Sequence, residues 1–155
     1  HTLDGVRRAC RDLRPSILDD LGLQPALEWL CDSSSSRGIS SSFSCTGSVQ
    51  TTAPEAEIAI FRIAQEALSN VWRHAQAACV EMELNYLPGA LVLRIQDNGR
   101  GFAPTRVKDV SSDSQSGLGL AGMRERAMLI GAELLIDALP GRGCTVTLML
   151  PLAQE

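Results

Sequence analysis

The fold of this 155-residue chain depends most on residues 60–75, which read IFRIAQEALSNVWRHA. Apolar residues recur there every three to four positions, which is the period of an amphipathic α-helix. Residues 51–55, with a proline and an acid placed for a first turn, indicate where the helix begins. The pattern predicts a helix over about Glu55 to Ala75, with a buried stripe made of Ile60, Ile63, Ala64, Ala67, Leu68, Val71 and Ala75.

Shorter elements are predicted on both sides of this helix. Before it lie the end of an amphipathic helix over 2–14, a connector over 13–23, a second helix after Pro25, and a strand over 39–45. After it come strands over 78–86 and 90–96, a polar loop over 97–116, a helix from about Gly117, and strands over 133–138 and 144–150. This order predicts an α/β (α+β) two-layer sandwich, in which helices cover one face of a mixed, mostly antiparallel sheet.

Composition excludes several classes of protein. An apolar fraction of 45% with 21% charged residues is typical of a soluble globular domain. The net charge of −4 argues against a surface that binds nucleic acid through bulk charge. The chain has one lysine, Lys108, and Asp109 follows it, which excludes a P-loop and the third-strand lysine of a eukaryotic-type protein kinase.

Cysteine and histidine usage gives no sign of a structural metal or a disulfide framework. The cysteines are odd in number and form no C-x-x-C pair, and the two histidines, His1 and His74, complete no zinc pattern. We therefore expect the cysteines to be unpaired, to act as small apolar side chains, and to lie in a reducing compartment. No apolar run reaches membrane-spanning length, no leader pattern is present, and the start at His1 suggests a fragment.

Three polar residues stand out within the long predicted helix. Glu66, Asn70 and His74 are spaced i, i+4, i+8 and so form one row beside the apolar stripe, where they would be half-buried. Such a row is either a solvated helix face or part of a metal-nucleotide site. An amide oxygen is a suitable hard ligand for magnesium.

Two glycine-containing stretches follow. Asp97-Asn98-Gly99-Arg100-Gly101-Phe102 comes directly after a predicted strand. It is either a simple turn or a place where a flat ligand approaches the backbone and a carboxylate accepts a hydrogen bond from an exocyclic amine.

The second stretch, residues 116–123, reads SGLGLAGM and leads from the polar loop into a helix. Free N–H groups and the positive end of the helix dipole there would suit a phosphate chain. The glycine spacing resembles the fingerprint of dinucleotide-binding domains. A polar loop rather than a strand precedes it, so we reject a dinucleotide-binding motif.

Together the three stretches resemble the N, G1 and G2 boxes of the GHKL ATPase superfamily, whose ATP-binding domain is the Bergerat fold. Residues 66–75 resemble the N box, 97–102 the G1 box and 117–120 the G2 box. Residues 13–23 and 119–127 resemble bacterial sensor histidine kinases of the nitrate-sensor subfamily. The resemblance covers essentially the whole chain.

The resemblance implies ATP and Mg²⁺ as cofactors and a role for each matching residue. Glu66 would orient or deprotonate the phospho-accepting group, and Asn70 would bind the magnesium. His74 would lie near the phosphates. Asp97 would bind the adenine amine.

Further ATP-binding positions are implied along the other boxes. Gly99 and Gly101 would make room for the nucleotide and hinge a lid. Gly117 and Gly119 would meet the phosphates, with Leu118 between them also an ATP-binding position. Thr145 would sit near the adenine, often through water. Alternatively, Thr145 is an ordinary strand residue that shares a face with Thr147, while Val146, Leu148 and Leu150 face the other way.

The same resemblance divides the chain into the tail of a dimerisation helix with its connector over 1–23 and a catalytic domain over 24–155. The phosphorylated histidine of such kinases lies upstream and is absent, so the expected reaction is transfer to another domain of the same receptor, and then to a response regulator. The fragment would be a cytosolic monomer without direct membrane contact, and its receptor a dimer. An anti-sigma-factor serine kinase and a non-catalytic nucleotide-binding module remain alternatives.

Overall fold

The computed structural model describes residues 16–102 and 114–153, with the backbone alone for residues 114–118. The predicted tail over 2–14 and most of the predicted loop lie outside these residues. The helices are α1 (Ser16–Leu21), α2 (Leu23–Asp32), α3 (Pro54–Asn70) and α4 (Ser114–Leu129), with a 3₁₀ turn at Ser35–Arg37 and a π-helical turn at Val71–Ala75. The strands are β1 (Ser40–Thr46), β2 (Cys79–Leu87), β3 (Ala90–Asp97), β4 (Glu133–Ala138) and β5 (Cys144–Pro151).

The strands form one sheet in the order β1-β2-β3-β5-β4. β1 runs parallel to β2, because α3 crosses over between them, and the other neighbouring pairs are antiparallel. A two-residue turn, Pro88-Gly89, joins β2 to β3, and Gly89 has φ of 76°, which favours glycine. The predicted class, a mixed and mostly antiparallel sheet with helices, is confirmed.

The core lies between the sheet and α2, α3 and α4. Alternate residues of β2, β3 and β5 are buried, as expected for strands with one covered face. They meet the apolar stripe of α3, which is buried as predicted except that Ala75 is only partly covered. Each fully buried leucine or isoleucine contributes roughly 1.5–3 kcal/mol of transfer free energy. The largest buried members include Phe61, Ile63, Leu68, Leu84, Leu93 and Leu148.

The connector is more structured than the sequence indicates. Residues 16–21 of the predicted connector form α1, and Leu18 and Leu23 are buried in the same core as α3 and the sheet. The predicted boundary after residue 23 therefore does not coincide with a gap in packing, and the domain division itself stays a prediction.

The long helix also differs from the prediction at its end. It is α-helical only to Asn70 and continues as the π turn, and Gln76, with φ of 50°, ends it in the left-handed conformation. Trp72 anchors this turn, because its Nε1–H donates to Ser34 Oγ at 2.9 Å and the Arg37 guanidinium lies 4.1 Å from its ring centroid. Among the described helices, none has the length and hydrophobicity needed to cross a bilayer.

Candidate nucleotide-binding site

The polar row predicted on the long helix is present. Glu66 and Asn70 lie in the last turns of α3 and His74 in the π turn, and all three are half-buried as expected. In a continuous α-helix each step of four residues drifts by about 40° around the axis. A π turn rotates through a smaller angle per residue, so it opposes the drift between Asn70 and His74. Among residues 16–102 and 119–153, whose side chains are described, no hydrogen bond engages the side chain of Glu66 or Asn70.

Asp97 ends β3 and, at 6% exposure, is the most buried of the predicted site residues whose side chains the structure describes. Its Oδ1 accepts a 2.8 Å hydrogen bond from the Gly99 N–H. Burial raises the pKa of Asp97, and backbone N–H groups of Gly99 and Cys144 partly offset that effect. A carboxylate has about four lone-pair sites, so it keeps acceptor capacity for an exocyclic amine.

The glycines of the G1 stretch have a packing role that the sequence did not indicate. A side chain at Gly99 would collide with the backbone of Ala75 in the π turn. One at Gly101, where φ is 62°, would collide with the carbonyls of Leu139 and Gly143 in the β4–β5 hairpin. The space that these glycines leave is therefore filled by the protein itself, which brings the loop against the helix and the hairpin. Their predicted roles in making room for the nucleotide and in hinging a lid stay predictions.

Asn98 has a structural role that the sequence did not indicate. Its Oδ1 accepts hydrogen bonds of 2.9 Å from the backbone N–H groups of both Ala78 and Cys79. These bonds attach the loop after β3 to the start of β2. In the sequence, Asn98 was only part of a turn signal, because nothing local reveals a partner twenty residues away.

The G2 stretch lies inside a helix rather than ahead of it. α4 begins at Ser114, three residues before the predicted start, so Gly117, Leu118 and Gly119 all belong to it. The Gly119 N–H lies beyond the first turn, where the helix's own hydrogen bonds engage such groups. A side chain at Gly119 would collide with the Glu66 carboxylate. The structure therefore brings the N box and G2 box into direct contact.

The predicted adenine contact at Thr145 does not agree with the sheet register. Thr145 pairs with Gln96, while Asp97 pairs with Cys144. Because directly opposite residues share a face, Cys144 lies on the helix-covered face with Asp97, and Thr145 lies on the other face. Burial raises the pKa of Cys144 to about 12, with the nearby Asp97 and Asp137 charges adding to the effect. Within the described residues, Cys144 rather than Thr145 is the β5 side chain next to Asp97.

Residues 55–154 match the family of histidine kinase-, DNA gyrase B- and HSP90-like ATPases. The match covers more than half of the chain, so the chain belongs to this family. The predicted resemblance to GHKL ATPases, and among them to sensor histidine kinases, is confirmed.

Curated proteins similar to the chain include sensor histidine kinases. The chain is 42% identical over 147 residues to the sensor histidine kinase MctS of Rhizobium johnstonii, covering 94% of the chain and 31% of that protein. It is 36% identical over 153 residues to the oxygen sensor histidine kinase NreB of Staphylococcus carnosus, covering 98% of the chain and 43% of that protein. The chain thus spans less than half the length of these relatives.

Solved structures share the fold at lower identity. A blue-light activated histidine kinase of Erythrobacter litoralis matches with a TM-score of 0.68 and 22% identity, over 86% of this chain and 42% of that one. The histidine kinase AdeS of Acinetobacter baumannii also gives a TM-score of 0.68, at 15% identity, over 98% of this chain and 81% of that one. The architecture described above is therefore that of histidine kinase ATPase domains.

Proposed function

We propose that this domain binds Mg-ATP and transfers the γ-phosphoryl group to a histidine on a separate dimerisation domain, for relay to a response regulator. The observation that carries the proposal is the contact between Glu66 and Gly119, with the buried Asp97 at the end of the neighbouring β3. It supports a site in which Glu66 would lie beside the predicted phosphate-binding helix and Asp97 would accept a hydrogen bond from adenine. Membership of the ATPase family supports the same assignment.

Each polar residue would have a separate task. Asp97 would accept a hydrogen bond from the adenine amine and fix the base. The Asn70 amide oxygen, one turn beyond Glu66, would hold magnesium, which when bound neutralises charge on the phosphates. His74 would lie near the phosphates, at the far end of the same row.

Glu66 would act on the incoming imidazole. Its carboxylate is half-buried and lies against the backbone of α4, so its position is restricted without being cut off from solvent. There it would orient the acceptor histidine or take its proton as the phosphorus–nitrogen bond forms and the bond from the γ-phosphorus to the departing ADP oxygen breaks.

We place the domain in a dimeric receptor, at the cytosolic end of a membrane-bound sensor.

The test is phosphotransfer from labelled ATP to a separately supplied dimerisation domain that carries the acceptor histidine. The Glu66→Gln variant should lose ~10²-fold or more in rate and little in ATP affinity, because a base or orienting group acts mainly on the transition state. Glu125→Gln, which removes an equally charged but exposed group on α4, is the matched control and should keep the wild-type rate.

Three results would each contradict a part of the proposal. If the wild-type protein binds no Mg-ATP, the proposed nucleotide site is wrong. Label that survives acid treatment would indicate a phosphorylated serine rather than a histidine, and so the anti-sigma-factor type of kinase. Equal rates for the Glu66→Gln and Glu125→Gln variants would return Glu66 to an ordinary helix surface.

A further inference from the structure

Arg100, within the G1 stretch, contacts two other parts of the site. Its backbone N–H donates to the Ala75 carbonyl at 2.7 Å, and its Nε–H donates to the His74 carbonyl, also at 2.7 Å. Its own carbonyl accepts a 2.6 Å hydrogen bond from the N–H of Gly141 in the β4–β5 hairpin. One residue thus connects the loop after β3 to the π turn and to the hairpin.

The π turn needs such partners. The last carbonyls of any helix lack N–H donors from their own helix, and a left-handed residue at Gln76 stops the chain from supplying them. Arg100 satisfies the carbonyls of both His74 and Ala75, and its positive charge lies at the negative end of the helix dipole. The end of the helix that carries the polar row is therefore held by the G1 loop.

We propose that Arg100 is a positioning residue of the nucleotide site, which fixes the N box relative to the G1 box through its Nε–H bond to His74. Asp97 lies three residues before Arg100, and its carboxylate is set by the Gly99 N–H. Asn70 immediately precedes the π turn. A ligand that touches only Asp97 does not depend on the link, whereas one that spans Asp97 and Asn70 does. This inference rests on the proposed function for its ligand.

A purely structural role would give a different outcome. Arg100 is exposed, and exposed polar contacts contribute little to global stability. The side chain can also be removed without removing the backbone bond to Ala75, so the loop keeps one of its two attachments to the turn. Loss of the side chain should therefore alter the relation between the two boxes and leave the fold intact.

The experiment compares Arg100→Ala with Arg142→Ala, which removes the same charge from an exposed position in the adjoining hairpin. Affinities for Mg-ATP and for adenosine are measured by calorimetry and NMR titration. Arg100→Ala should weaken Mg-ATP binding about three- to tenfold and adenosine binding less than about twofold, as expected for one lost charged hydrogen bond in a solvated site. Arg142→Ala should change neither.

Trp72 provides a readout that does not need nucleotide. In a Trp29→Phe background, where the replaced tryptophan is 55% exposed, emission and anisotropy report on the π turn alone. Arg100→Ala should shift the Trp72 signal and Arg142→Ala should not. Failure of wild-type protein to bind Mg-ATP would remove the proposed function but leave this measurement valid. An unchanged Trp72 signal, or an unchanged ratio of Mg-ATP to adenosine affinity, would overturn the role of Arg100.

Discussion

The Glu66 carboxylate lies so close to Gly119 that a methyl group added there would collide with it unless the Glu66 side chain moved. The contact joins the last turns of α3 to the early turns of α4 and limits where the carboxylate can point. Glycine is otherwise unfavourable in a helix interior. Gly119 therefore lowers the stability of α4 but leaves space for the Glu66 carboxylate.

Replacing Gly119 with alanine should separate stability from activity. The new methyl group meets the flexible end of Glu66, which can rotate away, so the variant should gain about 0.5–1 kcal/mol of unfolding free energy from helix propensity. The displaced carboxylate should lower phosphotransfer by roughly 10- to 100-fold. Urea unfolding and the phosphotransfer assay measure the two effects.

Gly122→Ala is the control for that variant. Gly122 lies in the same helix, and a methyl group there meets nothing within 4 Å. It should gain similar stability and keep full phosphotransfer. If both variants retain the wild-type rate, the contact with Gly119 does not position Glu66 for catalysis.

Asp97→Asn should remove most of the affinity for ATP and ADP. The asparagine amide can present a donor where the adenine amine needs an acceptor. Asp137→Asn, at an exposed position on the far face of β4, should bind both nucleotides normally. Calorimetric titration that gives equal affinities for the two variants would remove Asp97 from the adenine site.

The same substitution should change how stability depends on pH. Burial raises the pKa of Asp97 in the folded state, so the fold disfavours the ionised form. Wild-type stability should therefore fall as pH rises from the unfolded value, about 3.9, through the raised folded pKa, and then level off. The variant lacks this loss. Its unfolding free energy should therefore rise relative to that of the wild type between about pH 4 and pH 7. Urea titrations at both pH values measure this, and a constant difference would contradict it.

Asn70→Leu should weaken only the magnesium-dependent part of ATP binding. Leucine keeps the helix but offers no oxygen ligand to the metal. Titrations with ATP in magnesium and in a chelator should differ strongly for the wild type and little for the variant, while adenosine affinity stays the same. A variant that keeps the full magnesium effect would show that Asn70 is not a ligand.

The sequence was informative wherever periodicity determined the structure. The strand over 133–138 begins and ends as predicted, and the stripe of the long helix is buried because its apolar spacing matches the helical period. The alternation of β5 was also correct, with Val146, Leu148 and Leu150 inward. These features depend on local pattern alone.

Features that depend on contacts between distant segments were not predictable. Strand alternation shows that Thr145 and Val146 face opposite ways, but only the pairing of β5 with β3 shows which face carries Asp97. The tight glycines were recognised, yet the neighbours that require them, such as Ala75 for Gly99, lie far away in sequence. The π turn leaves no sequence pattern, because its geometry depends on partners such as Arg100 and Trp72.

The parallel pairing of β1 with β2 has a consequence for the order in which the domain folds. β2 and β3 are joined by a two-residue turn, and β4 and β5 by a short hairpin, so these pairs can form early from nearby residues. β1 reaches β2 only after the whole of α3 has crossed the sheet, and it lies at the edge. Closing that long segment costs more entropy. We expect β1 to join last and open first, so its backbone amides should exchange with solvent faster than those of β3 at the centre.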